Sequence, residues 1–347
     1  MNKPTMQDIA DALSVSRISI WKALNNRPGI SEKLREKAIN EAVKIGYINP
    51  INDLNQTGVQ AATKNIAAVV SRPESSYFWM QIIHEIAKKL SHYGANLIYT
   101  YLPPHHSDGD PLPKSLSDDS LSGIIILNVY SDRQLKMLAN LSLPKVFLDT
   151  VPNVPFEQLC GDLVMIEGRS TVKRITKSLL KNGRTKLGFI GDINYAQTNM
   201  DRYLGFLDAH NELSLTNNKL LNMTDPLHLT THYKQISQFL DSLKTMPDGF
   251  ICASDYIAHF VQQYFTEHGI AQETVCLTGF DNNTEYANVA NKITTVNVQT
   301  KSLGERLANK IMYATDHPHS PFELSYISSE ILREPGLPKA AGRFPQR

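Results

Sequence analysis

Residues 4–50 constrain this chain more than any other stretch: two short helical patterns separated by a Ser-Val-Ser break, then a third that ends at a glycine. Thr5 is placed to cap a helix start, with Asp8 three residues on as a weaker form of the capping box. Met6, Ile9, Ala10 and Leu13 recur at helical spacing. Ser14 interrupts that pattern, and Val15 turns an apolar side chain inward. Ser16 can cap the second helix, whose apolar residues are Ile20, Ala23 and Leu24. Its other face carries Arg17, Ile18, Ser19, Trp21 and Lys22. Asn25, Asn26, Pro28 and Gly29 form a turn cluster. Ser31 caps the third helix, with Glu32 in the first turn where the dipole favours an anion. Leu34, Ala38, Ile39, Ala42 and Ile45 make its buried stripe, and Gly46 suits a left-handed stop. Two helices around a tight break with a third in support is the plan of an all-α helix-turn-helix DNA reader.

Charge follows the same division. Residues 1–50 hold eight Lys/Arg against five Asp/Glu, an excess of +3, whereas the whole chain carries +1 and residues 51–347 sum to −2. Phosphate binding needs cations on the element that approaches the nucleic acid, and here they sit on the smallest part. The excess is modest, and Lys33, Arg35 and Lys37 also fit a solvated helical face. The argument therefore rests on charge and helix pattern together.

Beyond residue 64, apolar β-rich runs alternate with helical patterns. Strands are expected at 66–71, 96–101, 123–127, 145–148, 187–191, 249–253, 274–280 and 322–331. Helices are expected at 80–93, 133–141, 169–180, 203–209, 256–268 and 303–314. Such alternation implies parallel sheets, and the length suffices for one or two α/β lobes with real cores. The two series predict two lobes with a cleft between them.

No apolar run approaches the roughly 20 residues of a membrane helix, and no charged-then-apolar signal segment opens the chain, so a cytoplasmic protein is expected. Cys160, Cys252 and Cys276 are odd in number and far apart; they read as reduced, small apolar side chains. There is no Walker A loop, no GxGxxG, and His84-Glu85 lacks the second histidine of a zinc protease. The loop His105-His106-Ser107-Asp108-Gly109-Asp110 is the one metal-like cluster; beside Pro103, Pro104, Pro111 and Pro113 it reads instead as a polar surface loop. No catalytic constellation, metal site or cofactor is expected.

The runs Met6-Gln7-Asp8-Ile9-Ala10, Val15-Ser16, Leu24-Asn25, Ile30-Ser31 with Arg35, and Gly46-Tyr47 together resemble the DNA-binding headpiece of the LacI/GalR family of bacterial transcriptional regulators. The resemblance runs to about Glu334. It implies a helix-turn-helix headpiece over 1–48, a hinge over 49–64, a two-lobed α/β core over 65–334 resembling periplasmic binding proteins, and a tail over 335–347. It further implies a homodimer that binds a pseudo-palindromic double-stranded operator, as a repressor in the family manner, and responds to a sugar-like effector. The expected DNA contacts are Thr5, Ser16, Arg17, Ile18, Ser19, Trp21, Lys22 and Asn25. Arg17 is read as a guanine contact in the major groove. Trp21 either donates its indole N–H to a phosphate or packs within the headpiece.

Three features of the core are read as effector contacts. Tyr77, Phe78 and Trp79 stand where the family places residues at the cleft mouth, and aromatic faces suit a sugar's C–H surface; packing of the following helix is the alternative. Arg202, in Arg202-Tyr203-Leu204-Gly205-Phe206, resembles the family's Arg-x-x-Gly-Phe pattern, whose arginine contacts the effector; an interdomain salt bridge is its alternative. Ser254-Asp255 and Asp281 follow apolar runs at the strand ends where open α/β sheets bind ligands. Asp255 equally fits a helix cap.

Departures from the family pattern are also specific. Ser19-Ile20-Trp21-Lys22 replaces the usual Thr-Val-Ser-Arg, which implies an unusual operator. In the hinge, Gln56 stands where a minor-groove leucine belongs, leaving Leu54 as a displaced wedge. Val164 stands where the family carries a ligand-side aspartate, with Asp162 two residues earlier. The tail has no heptads, so a dimer through the core is expected and not a tail-built tetramer. A solute-binding protein, or an α/β enzyme with an appended DNA-binding arm, is the alternative reading.

Overall fold

The N-terminal helices form because their apolar residues recur every three or four positions: α1 (Met6–Ala12), α2 (Arg17–Leu24) and α3 (Glu32–Lys44). The structure, a computed structural model, describes residues 4–24, 27, 29–45, 47, 63–71, 76–103, 113–216, 219–228, 230–271 and 274–333. Asn25, Gly46, Leu54 with the rest of the linker to residue 62, the histidine loop at 105–110 and the tail at 335–347 lie outside these. The chain divides into two units, Met1–Thr63 and Lys64–Arg347.

In the first unit, Ile9, Ala10, Ile20, Ala23, Leu24, Ala38 and Ala42 are buried as one cluster, with Val15 and Ile45 half-buried against it. The helix starts are capped from their own sequence. The Asp8 carboxylate accepts from the Thr5 N–H at 2.6 Å and the Thr5 hydroxyl at 2.8 Å. Ser16 Oγ accepts from the Ser19 N–H at 3.1 Å, and Ser31 Oγ from the Leu34 N–H at 3.3 Å. The Ser16 and Ser31 bonds satisfy N–H groups that the first turn leaves without an intrahelical acceptor. Ser14, at φ 53°, makes the left-handed step between α1 and α2.

The second unit holds two lobes. The first is a six-stranded sheet built from β1 (Asn65–Val70), β2 (Asn96–Tyr101), β3 (Leu121–Leu127), β4 (Lys145–Leu148), β5 (Asp162–Ile166) and β10 (Leu324–Ile327), in the order β10-β5-β4-β3-β1-β2. Every pairing in it is parallel. Alternation along β3 explains the layers. Ile125 and Leu127 share a cluster with Ile82 and Ile86 of α4 (Tyr77–His92) and Leu307 and Ile311 of α10 (Thr300–Asp316). Ile124 and Ile126 share another with Leu135 and Leu138 of α5 (Asp132–Ala139). A sheet covered on both faces needs such unbroken apolar strands.

The second lobe holds the parallel strands β6 (Leu187–Ile190), β7 (Gly249–Cys252) and β8 (Cys276–Thr278) in sequence order. Its helices are α6 (Arg169–Lys181), α7 (Gln197–Glu212), α8 (His232–Ser242) and α9 (Asp255–Glu267). An antiparallel pair, β9 (Thr295–Asn297) with β11 (Glu330–Leu332), completes it. The chain passes between lobes three times: from β5 to α6, from β9 to α10, and from β10 to β11. α6 and α7 cross so closely that a Cβ on Gly205 would lie 2.1 Å from the Arg169 carbonyl oxygen. That is the physical reason for glycine in the Arg-x-x-Gly-Phe pattern, whose Phe206 is fully buried.

The expected class, an all-α helix-turn-helix unit and an α/β core of parallel sheets, is the observed one. Corrections are local. The single strand expected at 322–331 is two strands in different lobes, broken at Ser328-Ser329. β5, α8 and β9 were not anticipated. Cys160 is exposed at φ 50°, unlike buried Cys252 and half-buried Cys276, so it is not the packed apolar side chain expected.

Candidate functional site

Two surfaces concentrate the sequence-derived candidates, one on each unit. On α2, burial of Ile20, Ala23 and Leu24 leaves Arg17, Ile18 and Trp21 exposed on the opposite face, with Lys22 half-buried at its edge. Ile18 is 67% exposed, and Trp21 44%. A large apolar side chain beside an arginine on a short helix presents both chemistries that a base edge and a thymine methyl accept. The Arg27 guanidinium lies 5.9 Å from the Trp21 ring centroid. Ser16 and Ser19 are partly committed to each other, with their hydroxyls 2.9 Å apart, and the Thr5 hydroxyl is committed to Asp8.

In the core, a cleft of about 690 Å³ opens between the lobes, within the range of roughly 300–1,000 Å³ usual for small-molecule sites. Strand ends build it. Asn128 follows β3, Asp149 follows β4, Ser254 follows β7 and Asp281 follows β8 by three residues, and all four line the cleft. Three of them hold positive φ: 52° at Asn128, 70° at Asp149 and 99° at Asp281. Non-glycine residues persist in such backbone only where their surroundings over-determine it, and they concentrate at binding sites.

Arg202, on α7, is the central cation of this cleft. It is 5% exposed. Its Nη1 donates to the Ala253 carbonyl at 2.5 Å, its Nη2 lies 3.6 Å from Asp281 Oδ1, and its guanidinium stacks 3.7 Å over the Phe280 ring. Nε, also buried, has no hydrogen-bond partner. Burial raises the Asp281 carboxyl above the ordinary aspartate range, while the Arg202 charge opposes that rise. Asp149 is buried and accepts from the Thr198 hydroxyl at 2.6 Å and the Thr150 N–H at 2.8 Å. Burial pushes its carboxyl up to about 6, against the lowering effect of those hydrogen bonds and of Arg202.

Aromatic rings enclose the polar centre. Phe78 and Trp79 meet edge to face at 5.3 Å, and Tyr130 from the first lobe lies 4.5 Å from Tyr195 of the second. Tyr256 and Tyr286 pair at 5.6 Å, and the Tyr256 hydroxyl is 3.0 Å from His232 Nδ1. All seven of these rings line the cleft.

Two expected effector residues stand elsewhere. Tyr77 is 53% exposed and lines an adjoining groove of about 480 Å³ that shares Phe78, Asp281 and Asn283 with the cleft, whereas Phe78 and Trp79 line the cleft itself. Asp255 does not line the cleft. It is buried beneath the strand ends, where its carboxylate accepts from the Thr295 hydroxyl at 2.7 Å and the Asn283 N–H at 2.8 Å. Ser254, not Asp255, caps α9 through the Ile257 N–H. Burial, then the Asp281 charge, pushes Asp255 up to about 7 despite its hydrogen bonds. Arg202 lines the cleft, and its ion pair with Asp281 stays within the second lobe, so the interdomain salt bridge offered as its alternative is not the contact observed.

Asn128, Asp149 and Thr198 are cleft residues that sequence reasoning missed. Asn128 and Asp149 carry part of the signal that singled out Asp281, a polar residue at the end of an apolar run. Tyr130, Tyr195, Tyr256, Tyr286 and His232 carry no local signal, since only the packing of the lobes brings them together. Among the described residues, no group of three or more His, Cys, Asp or Glu is placed to hold a metal ion, and no helix is long and apolar enough to cross a membrane.

Comparison with known proteins fits this geometry. A periplasmic binding protein-like domain model matches residues 176–333. The HTH-type transcriptional repressor PurR of Mannheimia succiniciproducens is 23% identical over 343 residues, covering 97% of this chain and 99% of its own. Among solved structures, a transcriptional regulator CelR–cellobiose complex superposes with TM-score 0.67 at 20% identity, covering 96% of this chain and all of that one. The lac repressor dimer bound to operator and the anti-inducer ONPF superposes with TM-score 0.66 at 16% identity, over 96% of this chain and 99% of that one.

Proposed function

We propose that the chain is a LacI/GalR-type transcriptional regulator that binds operator DNA as a homodimer and changes its grip when a small polyhydroxylated molecule enters the core cleft. The relatives matched along nearly its whole length are transcriptional regulators and not enzymes. The PurR relative is named a repressor, the CelR neighbour holds cellobiose, and the lac repressor neighbour is a dimer on operator. These support the same three properties here. The protein acts in the cytoplasm, where its DNA is.

The observation that carries the reading is the cleft itself. Buried polar groups from both lobes meet across it, and the lobes are joined by bonds that a ligand can rearrange. Thr198 of the second lobe bonds Asp149 of the first, the Gln197 N–H donates to the Thr150 carbonyl at 2.7 Å, and Glu285 accepts from the Tyr77 N–H at 3.1 Å. A ligand shifts DNA affinity only through different affinities for the two lobe arrangements. Arg202, Asp281 and Asn128 supply donors and acceptors for hydroxyls, and the surrounding rings supply apolar faces. On α2, Arg17 and Ile18 read bases while Lys22 reaches a base or phosphate; one headpiece reads a short half-site, so two-fold symmetry gives specificity.

Selection of bound duplexes from a randomised pool, using the full-length protein, tests the DNA reading. Enrichment of an inverted repeat supports it. Recovery of a pool no different from the input contradicts it.

A further inference from the structure

The charge lining the cleft restricts the chemical class of the molecule it admits. Among the described residues, four carboxylates line it, those of Asp149, Asp192, Asp281 and Glu285, against the single guanidinium of Arg202. That guanidinium is already engaged on three sides, by the Ala253 carbonyl, the Asp281 carboxylate and the Phe280 ring. Asp192 is locked as an acceptor by the N–H groups of Asn194, Tyr195 and Leu227 at 3.0, 3.1 and 3.2 Å. Glu285 is likewise held by the Tyr77 N–H and the Asn283 amide, both at 3.1 Å. A phosphate or carboxylate entering this space sheds hydration and meets oxygens of its own sign, with no lysine and no second arginine among the described lining residues to replace the water it loses. Burying a charge without a partner is among the costliest steps in recognition.

Building on the reading of this cleft as the effector site, we propose that its effector carries no negative charge: an uncharged polyol or an amino-bearing one, and not a sugar phosphate or sugar acid. Asp281 enforces the exclusion. Its carboxylate lies 3.6 Å from Arg202 Nη2, on backbone at φ 99°, so an anion drawn to that end of the guanidinium meets a charge of its own sign. Hydroxyl and ammonium donors find acceptors at Asp281, whose side chain makes no hydrogen bond among the described residues beyond its 3.6 Å ion pair with Arg202.

The test uses the full-length protein, thermal melting and calorimetric titration. The probes are a panel of mono- and disaccharides, each with its 2-amino and 6-phosphate counterparts; glucose, glucosamine and glucose 6-phosphate form one set, and cellobiose and its counterparts another. For any set that binds, the neutral or amino member is expected to raise the melting temperature and the phosphate member to bind about tenfold or more weakly. Asp281→Asn is expected to release Arg202 and improve binding of that phosphate member by about tenfold over wild type. A phosphate member that binds wild type as tightly as its neutral counterpart overturns the charge rule alone, as does an Asp281→Asn variant that folds and discriminates as before. Silence of the whole panel, neutral and charged alike, removes the polyol effector itself and this inference with it.

Discussion

The Thr198 hydroxyl donates to the Asp149 carboxylate at 2.6 Å, tying the end of β4 in the first lobe to the start of α7 in the second. Thr198→Val deletes the donor at nearly constant shape. Asp149 keeps the Thr150 N–H at 2.8 Å and the Thr198 N–H at 3.3 Å, but its buried charge loses its shortest hydrogen bond. The expected cost is roughly 1–3 kcal/mol where the carboxylate is ionised. Because this carboxyl sits at about 6, the loss of melting temperature is expected to be large at pH 8 and small at pH 5. An equal loss at both would show that Thr198 acts through packing alone.

Asp255 predicts a pH dependence of stability. Its carboxyl is raised to about 7 in the folded protein, against about 3.9 in an unfolded chain. Between these values the folded state holds a proton that the unfolded state has released. Stability therefore rises as pH falls through this window and is lowest above it. Asp149, at about 6, contributes in the same direction. Asp255→Asn can still accept from the Asn283 N–H while its amide faces the Thr295 hydroxyl. It is expected to be at least as stable as wild type at pH 8, with a shallower rise in melting temperature between pH 8 and pH 5. An unchanged slope would remove Asp255 as the titrating group.

Asp281 and Asp255 mark how far reading residues one by one reaches and where it stops. Strand ends are visible because a parallel sheet needs an unbroken apolar run, and the resemblance to the family's strand-end motifs then singled out Asp281 and Ser254. The same rule reaches Asn128 and Asp149 once every strand end is tested. It fails at Asp255, one residue beyond Ser254, because entry into α9 turns that side chain beneath the sheet, where Thr295 and Asn283 meet it. It fails at Tyr77 for the same kind of reason: three consecutive aromatics on a helix cannot all face one way. The strand at 322–331 was misjudged because both halves are β-prone and only the passage between lobes divides them. Tyr256, Tyr286 and His232 meet through tertiary packing, which no local pattern announces.

Arg17→Ala is expected to cost about 1–3 kcal/mol on the selected operator and to relax one base position, as loss of a bidentate base contact does. Fluorescence anisotropy on the selected duplex and its single-base variants measures both effects. Weakening by the same factor on every sequence, with a flatter salt dependence, would reassign Arg17 to the phosphate backbone.

Trp21 combines 44% exposure with an Arg27 guanidinium near its ring. Trp21→Phe keeps most of the apolar body and removes the indole donor. If that N–H reaches a phosphate, affinity for all duplexes is expected to fall several-fold, on the order of 1 kcal/mol, with the melting temperature of the headpiece little changed. Unchanged affinity would make Trp21 a packing residue.

The coupling between cleft and headpiece is the central claim, and one titration tests it most directly. The affinity of the full-length protein for its selected operator is measured with and without a saturating compound from the sugar panel that raises the melting temperature. A shift of about 5–150-fold in either direction, typical of coupled sites, is the predicted result, and Asp281→Asn is expected to change the compound concentration needed to produce it. Identical operator affinity with the cleft saturated and with it vacant would contradict the account, because a molecule that binds both lobe arrangements equally regulates nothing.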